Sequence, residues 1–370
     1  MRINIIQGAF LPVPPLRGGA VEKMWHRMGI EFAREGHKVT HLSRIYSSLP
    51  TEEQRAGVSH LRVTGYDQPH NGLWLKLLDY FYSRRALAVA PPADVTITNT
   101  FWAPILSKPH HGKLVVDVQR MPKGQLRFYD HAARLRANSS AVSEAMIRER
   151  PSTRGRIQII PNPLTSPPEP SKPWSERAKT ILYAGRIHPE KGLEMLLAAW
   201  QRIRKSEVYP GWKLKLIGPS EVSGGGGGER WWSQTQARYG AEGIEILSPI
   251  YDESSLNTHY ATARIFVYPS LAETGETFGS AILEAMSHGT PPVVSALACF
   301  TDFVQHNRNG FVFNHRDADR VSQLETVLKS SMVSDLSLQS HDATRVNETH
   351  SPTAISRAFL SDFNALTTHP

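Results

Sequence analysis

The segment Glu276-Thr-Phe-Gly-Ser-Ala-Ile-Leu-Glu284 sets two carboxylates on either side of a Gly-Ser step. It follows a strand-like run at 265–268 and a polar loop, and the apolar spacing after Gly279 predicts a helix over 280–288. A helix start presents unpaired N–H groups and a partial positive charge, a combination suited to phosphate. Glu284 would lie one turn further in, about 6 Å along the axis. There a carboxylate can accept hydrogen bonds from ribose hydroxyls while a phosphate rests at Phe278, Gly279 and Ser280. Glu276, in the preceding loop, would face the far side of that phosphate, where a sugar would lie. Taken alone, the same residues also fit an acidic helix start with a surface glutamate.

A second group, Gly185-Arg186-Ile-His-Pro-Glu-Lys191-Gly192, directly follows a strand-like run at 180–184. Two cations five positions apart on a glycine-bounded turn can converge on a diphosphate, Arg186 as a fork and Lys191 as a point charge. They can also neutralise a departing nucleoside diphosphate. A third group, Arg17-Gly18-Gly19-Ala-Val-Glu22, lies between the first strand and the first helix and offers open backbone donors. It fits neither the dinucleotide fingerprint nor the Walker pattern, which disfavours NAD and ATP.

These groups need a scaffold, and the pattern supplies one. Strand-like runs at 2–7, 38–43, 94–98, 113–118 and 135–138 alternate with helical spacing at 20–34, 73–89 and 143–150. The rhythm returns with strands at 213–217, 244–247 and 292–295 and a helix at 192–206. It predicts α/β architecture with two Rossmann-like doubly wound parallel sheets, facing across a cleft, with ligands at the C-terminal strand ends. The proline-dense stretch 161–173 reads as an interdomain linker. The expected divisions are a first domain over 1–165, a second over 166–350 that carries Arg186, Lys191, Glu276 and Glu284, and a terminal helix over 351–370 packing back on the first domain. The five glycines at 224–228 read as a flexible surface linker.

The chain of 370 residues is 40% hydrophobic, as expected of a packed two-domain protein. Its one cysteine, Cys299, permits no internal disulfide and favours a reducing compartment. The N-terminal apolar run is too short for a signal peptide and reads as a strand, so a cytoplasmic location is expected. Residues 1–165 carry 23 Lys and Arg against 12 Asp and Glu, a surplus of 11, whereas the rest is slightly acidic. A basic first half suits an anionic acceptor or the inner face of a cell membrane. No zinc-finger, helix-turn-helix or RNP pattern accompanies it, so a nucleic-acid partner is not expected.

Gly-Gly-x-x-Glu after the first strand, Gly-Arg-x4-Lys-Gly after the linker, and Glu-x7-Glu opening as Glu-x-Phe-Gly together resemble the retaining GT-B glycosyltransferases of family 4 (glycosyl transferases group 1). Ile160-Pro-Asn-Pro, Tyr268-Pro-Ser and Glu284-Ala-Met-Ser-His-Gly-Thr-Pro stand in that family's order. The resemblance implies that Arg186 and Lys191 bind the donor diphosphate, Glu284 the ribose and Glu276 the donor sugar. Gly18, Gly19, Phe278, Gly279 and Ser280 would line the diphosphate, and the base would rest near Gly218 and Ile250. Family members usually need no metal or other cofactor, and the chain has no Asp-x-Asp. Many carry a histidine where this chain reads Val-Asp117-Val-Gln119-Arg120, so Asp117 or Gln119 would take that place. Arg17, Arg120, Lys123 and Arg127 are candidates to meet the acceptor.

The resulting expectation is metal-independent transfer, with retention, from a nucleoside-diphosphate sugar (UDP by default) to a glycan or lipid-linked acceptor in cell-surface polysaccharide or glycoconjugate biosynthesis. A nucleotide-sugar epimerase and a non-catalytic sugar-nucleotide-binding protein on the same fold are the alternatives. Donor hydrolysis would separate the last of these from a transferase.

Overall fold

The computed structural model describes residues 1–368 apart from 48, 70, 166–171, 207, 241 and 335–339. The chain divides into two compact units, residues 1–165 with 350–370, and residues 166–349. Residues 166–171, the middle of the proline-dense stretch read as a linker, lie outside the described residues.

The first unit is built on an eight-stranded sheet. Its strands are β1 (Arg2–Ile6), β2 (Lys38–Arg44), β3 (Glu52–Arg55), β4 (Val58–Val63), β5 (Val95–Thr98), β6 (Lys113–Val118), β7 (Arg134–Ala137) and β8 (Ile157–Ile159). They lie in the order β3-β4-β2-β1-β5-β6-β7-β8. All pairs are parallel except β3 with β4. Helices α1 (Ala20–Arg34), α2 (Gly72–Val89), α3 (Ala103–Leu106) and α4 (Ser140–Glu149) connect them. In α1, Met24, Trp25, Met28 and Phe32 recur at helical spacing and are buried with Ile3, Ile5, Val95 and Ile97 of the sheet.

The second unit repeats the plan with six parallel strands. They are β9 (Ala178–Ala184), β10 (Lys213–Ile217), β11 (Ile244–Leu247), β12 (Ala263–Tyr268), β13 (Pro292–Ser295) and β14 (Phe311–Phe313), in the order β11-β10-β9-β12-β13-β14. Its helices are α5 (Leu193–Lys205), α6 (Glu229–Tyr239), α7 (Glu253–Thr262), α8 (Ser280–Ser287) and α9 (Arg320–Val333). The strand order turns back between β9 and β12, so the loops leaving those two strands diverge to opposite sides. Open α/β sheets bind ligands at such a point.

Two more helices, α10 (Ser340–His350) and α11 (Pro352–Thr368), end the chain. On the first unit, α11 sets Phe359 5.1 Å from the Trp25 ring and Phe363 5.9 Å from Phe32, centroid to centroid. Arg134 and Asp362 close the contact with an ion pair at 2.8 Å.

The structure departs from the sequence pattern in definable places. The β3–β4 hairpin was not anticipated. Its turn is Ala56-Gly57, both at positive φ (51° and 81°), in place of the usual Asn-Gly signal. Helix α4 begins three residues earlier than expected because the Ser139 side chain caps it, accepting from the Val142 N–H at 3.2 Å. Helices α7 and α9 were missed because their apolar faces are narrow.

Three histidines meet beneath α1: His26 of that helix, His41 of β2 and His60 of β4. The His41 and His60 rings stack at 5.6 Å, and His26 lies 6.0 Å from His60. Both nitrogens of His41 and His60, and Nδ1 of His26, are buried without a hydrogen-bond partner. Burial depresses all three pKa values, helped by Arg62, Arg55 and Arg27, with Glu53 opposing at His60, and His60 is pushed down to about 4. An unfolded histidine titrates near ~6.5, so below that pH the unfolded chain binds more protons than the folded one. This cluster's contribution is therefore intact above about pH 6.5 and is lost as pH falls through about 4. Asp79, buried and raised to about 6, acts in the opposite sense. The readout is thus a difference: between neutral and mildly acidic pH, the thermal midpoint of His60→Gln should fall less steeply than that of the wild type. Parallel curves would show that the cluster does not titrate.

Candidate functional site

Loops leaving β9, β10, β11 and β12 carry Arg186, Gly218, Ile250 and the 276–284 segment respectively. Four neighbouring strands therefore deliver the second-unit candidates to one sheet edge. Between β9 and β12 the buried Lys191 ammonium donates to the Glu276 carboxylate. Glu190 Oε1 lies 3.9 Å from the same ammonium and accepts from Arg186 Nη2 at 2.7 Å. Two cations and two carboxylates thus alternate across the switch point. Arg186 is the open member, with its side chain 45% exposed.

Tyrosines form the floor. The Tyr183 and Tyr268 rings stack at 5.8 Å, and the Lys191 ammonium lies 5.6 Å from the Tyr268 ring centre. Burial, and then the Glu276 charge, raises both phenols well above their ordinary range, so they remain neutral donors. Tyr183 donates to the Arg186 carbonyl at 2.7 Å, fixing the turn from which the guanidinium projects.

Glycines shape the loops where a side chain cannot fit. Gly218, at φ 154°, passes so close to β9 that a Cβ would sit 1.9 Å from the Gly185 carbonyl oxygen. Gly279, at φ 91°, caps α8 with no side-chain partner, and a Cβ there would meet Phe300 at 2.8 Å. The start of α8 is therefore bare backbone. Phe278 beside it is buried against Phe303, and Ser280 opens the helix. Half-buried Glu284 accepts from the Tyr260 hydroxyl at 3.3 Å.

The glycine run 224–228 is not the flexible linker expected. It folds as a closed turn in which the Gly225, Gly226 and Gly228 N–H groups donate to Val222, Glu221 and Ser220. The Gly227 N–H donates to the Ile187 carbonyl, and the Gly225 carbonyl accepts from Arg186 Nη1 at 2.9 Å. A Cβ on Gly226 would lie 2.3 Å from the Ser220 backbone, and one on Gly227 2.6 Å from Pro189. Close packing selected these glycines, and the turn holds one side of Arg186.

In the first unit the candidates gather where α1 meets the end of β6. Gly18 and Gly19 have φ of 75° and 97°, and a Cβ on Gly19 would collide with the Glu22 carboxylate. Burial raises the Glu22 pKa, while its own backbone N–H and the nearby Arg120 charge pull it back. Arg120 is exposed, and Arg17 is drawn to Asp67 at 3.2 Å. Asp117 is enclosed. Its Oδ2 accepts from Trp25 Nε1 at 2.7 Å and Gln119 Nε2 at 2.9 Å, and its Oδ1 from Arg136 Nη1 at 2.9 Å. It supports Gln119 and offers no open face. Gln119 is partly exposed, and its carbonyl oxygen accepts from Asn138 Nδ2 at 3.2 Å.

Residues 178–329, from the first strand of the second unit to its helix α9, match the sequence profile of the glycosyl transferases group 1. The match lies wholly within the second unit. An uncharacterized glycosyltransferase of Haemophilus influenzae is 27% identical over 197 residues, 51% of this chain and 50% of that protein. The chain spans about half the length of the curated relatives it matches, or less. Two solved structures are alike over both units. Sucrose-phosphate synthase from Thermosynechococcus elongatus has a TM-score of 0.80 and 18% identity, with 100% of each chain covered. Anabaena HepE, solved with UDP and glucose, has a TM-score of 0.73 and 16% identity, covering 99% of this chain and 100% of that one. At such identities they establish the fold, two parallel-sheet α/β domains of GT-B type.

Sequence reasoning did not single out Tyr183, Tyr260, Tyr268 or Glu190 as site residues of the second unit. Glu190 lies inside the Arg-x4-Lys segment and was legible as a carboxylate beside two cations. Tyr268 was legible only as the strand end of Tyr268-Pro-Ser, while Tyr183 and Tyr260 carry no local signal, because their places follow from strand register and from the packing of α7.

Proposed function

We propose that the chain is a retaining glycosyltransferase that moves a sugar from a nucleoside-diphosphate donor, UDP-linked by preference, to a glycan or lipid-linked acceptor. Cell-surface polysaccharide or glycoconjugate biosynthesis at the inner face of the membrane is the matching setting. The observation that carries this reading is the convergence of Arg186, Lys191, Glu276 and the bare start of α8 at the switch point of one sheet. The match to group 1 supports it, as does the likeness to HepE, whose structure holds UDP and glucose.

In the proposed reaction the donor diphosphate draws Arg186 from Glu190 and lies between that guanidinium, the Lys191 ammonium and the α8 backbone. Gly18 and Gly19, both at positive φ, are proposed as further backbone donors to a phosphate. As the sugar–phosphate bond loosens, negative charge grows on the leaving phosphate. Fixed cations and helix N–H groups stabilise that charge most at the transition state. Arg186 and Lys191 supply the positive charge, so no metal ion is required. Glu276 orients the sugar hydroxyls. The acceptor hydroxyl attacks from the face the phosphate is leaving and passes its proton to it, so configuration is retained. Gln119, held at both ends of its amide, takes the sugar side, and the base rests by Gly218 and Ile250.

A nucleotide-sugar panel read by thermal shift tests donor binding, and NMR of the product anomer tests retention. A UDP-sugar should raise the midpoint most. No shift with any donor, or an inverted product, would overturn the corresponding part. Glu284→Gln keeps an acceptor for Tyr260 but removes the charge offered to the ribose. Donor affinity should fall by roughly 10–100-fold, the worth of a charge-assisted hydrogen bond, with the thermal midpoint of the free chain little changed. Unaltered donor affinity would remove Glu284 from the ribose.

A further inference from the structure

Helix α2 exposes what a surface helix normally hides. Leu73, Trp74, Leu77 and Phe81 are 78%, 56%, 43% and 40% exposed. At 100° per residue they fall within about a 100° arc. The opposite face, with Tyr82, Ser83, Ala86 and Leu87, already packs on the first unit. The apolar stripe is therefore surplus to the core and is left to a partner.

Its surroundings identify that partner's chemistry. The only acid of α2, Asp79, is buried, and its carboxylate accepts from the Phe101 and Trp102 N–H groups at 3.1 and 3.0 Å. Those bonds tie α2 to the loop after β5. The aromatic surface continues there: Trp102 lies 5.2 Å from Tyr80, and Phe101 5.9 Å from the exposed Phe128. Cations lie over these rings, Lys76 at 4.9 Å from Phe101, Arg127 at 4.7 Å from Phe128 and Arg84 at 5.9 Å from Tyr80. Exposed leucines and aromatics rimmed by Lys and Arg match a bilayer interface, where rings enter the headgroup layer and cations meet lipid phosphates. No helix among the described residues is long and apolar enough to cross a membrane, so contact would be peripheral.

We propose that the outward face of α2, continued by Phe101 and Phe128, docks the first unit on an anionic lipid bilayer. Phe101 and Phe128 follow β5 and β6, so the surface adjoins the same sheet edge as Gln119. This deepens the transferase reading by naming the lipid surface from which a lipid-linked acceptor would be taken.

Flotation of the full chain with vesicles tests it without donor or turnover, so failure here is separable from failure of the donor panel. The wild type should float with phosphatidylcholine vesicles containing about one-third phosphatidylglycerol, weakly with phosphatidylcholine alone, and less as salt rises. A combined Trp74→Ser, Leu77→Ser, Phe81→Ser variant should lose about tenfold or more of that partitioning, with an unchanged circular dichroism melt. Lys76→Glu with Arg84→Glu and Arg127→Glu should erase the preference for anionic lipid. Absence of flotation, or serine and charge variants that float like the wild type, would overturn the proposal. So would a wild-type dimer that the serine variant dissolves, since the stripe would then be covered by a second copy.

Discussion

Replacing Lys191 by Met is expected to lower glycosyl transfer by roughly 10²–10³-fold, the usual loss when one fixed donor to a developing oxyanion is removed. Two effects overlap in that variant, and the structure lets them be separated. Lys191 and Glu276 are both buried and paired. Removing only the ammonium strands the Glu276 carboxylate, which destabilises the fold by about 3–5 kcal/mol. Glu190, which lies 3.9 Å from the ammonium that is removed, can offer Glu276 no relief because it carries the same sign of charge. Adding Glu276→Gln removes the stranded charge, so the double variant should recover most of the thermal midpoint. Turnover should not recover with it, because the cation proposed to meet the leaving phosphate is still missing. Denaturant unfolding and initial-rate transfer, measured on both variants, make the test. Near-wild-type transfer by Lys191→Met would place the diphosphate elsewhere. Recovery of turnover in step with stability would assign the pair a structural role alone.

That design depends on a distinction the sequence does not contain. Arg186, Lys191, Glu276 and Glu284 are legible as candidates because their types are chemical and strand-to-turn spacing places them at helix starts. Their pairing is not legible. Lys191 meets Glu276 because β9 lies beside β12, with Ile181 opposite Ile265, a contact between segments far apart in the chain. The tyrosine floor has the same origin. The glycine run at 224–228 shows the opposite failure, since local freedom suggested a loose linker while close packing against Pro189 and Ser220 dictated the residue type. Fold class was the more legible property, because periodicity is repeated in every element and tolerates single errors. Missing the β3–β4 hairpin, α7 and α9 left the two-sheet reading intact.

The second large effect is expected at Asp117, and it follows from register as well. Asp117 on β6 stands directly opposite Arg136 on β7, both buried at the end of the sheet beside α1. Burial lowers the Arg136 pKa and the Asp117 charge opposes that shift, so the carboxylate is what keeps a guanidinium tolerable there. The guanidinium also donates to the Ile160 carbonyl at 2.6 Å and Asn162 Oδ1 at 2.8 Å, which fastens the chain where it leaves β8. Asp117→Ala would leave this cation uncompensated and the Trp25 indole N–H without its acceptor. A loss of about 3–5 kcal/mol is expected, read as a lower denaturant midpoint. Asp117→Asn restores one acceptor but no charge, and should fall between. The functional consequence runs through Gln119, whose amide nitrogen is held by Asp117. Asn leaves a single oxygen for Trp25, Gln119 and Arg136 to share, which weakens that anchor, so under the proposed function turnover of the folded Asp117→Asn variant should drop while UDP affinity, assigned there to second-unit residues, stays close to wild type. If UDP affinity falls in proportion to turnover, Gln119 is not the group that Asp117 positions for the sugar.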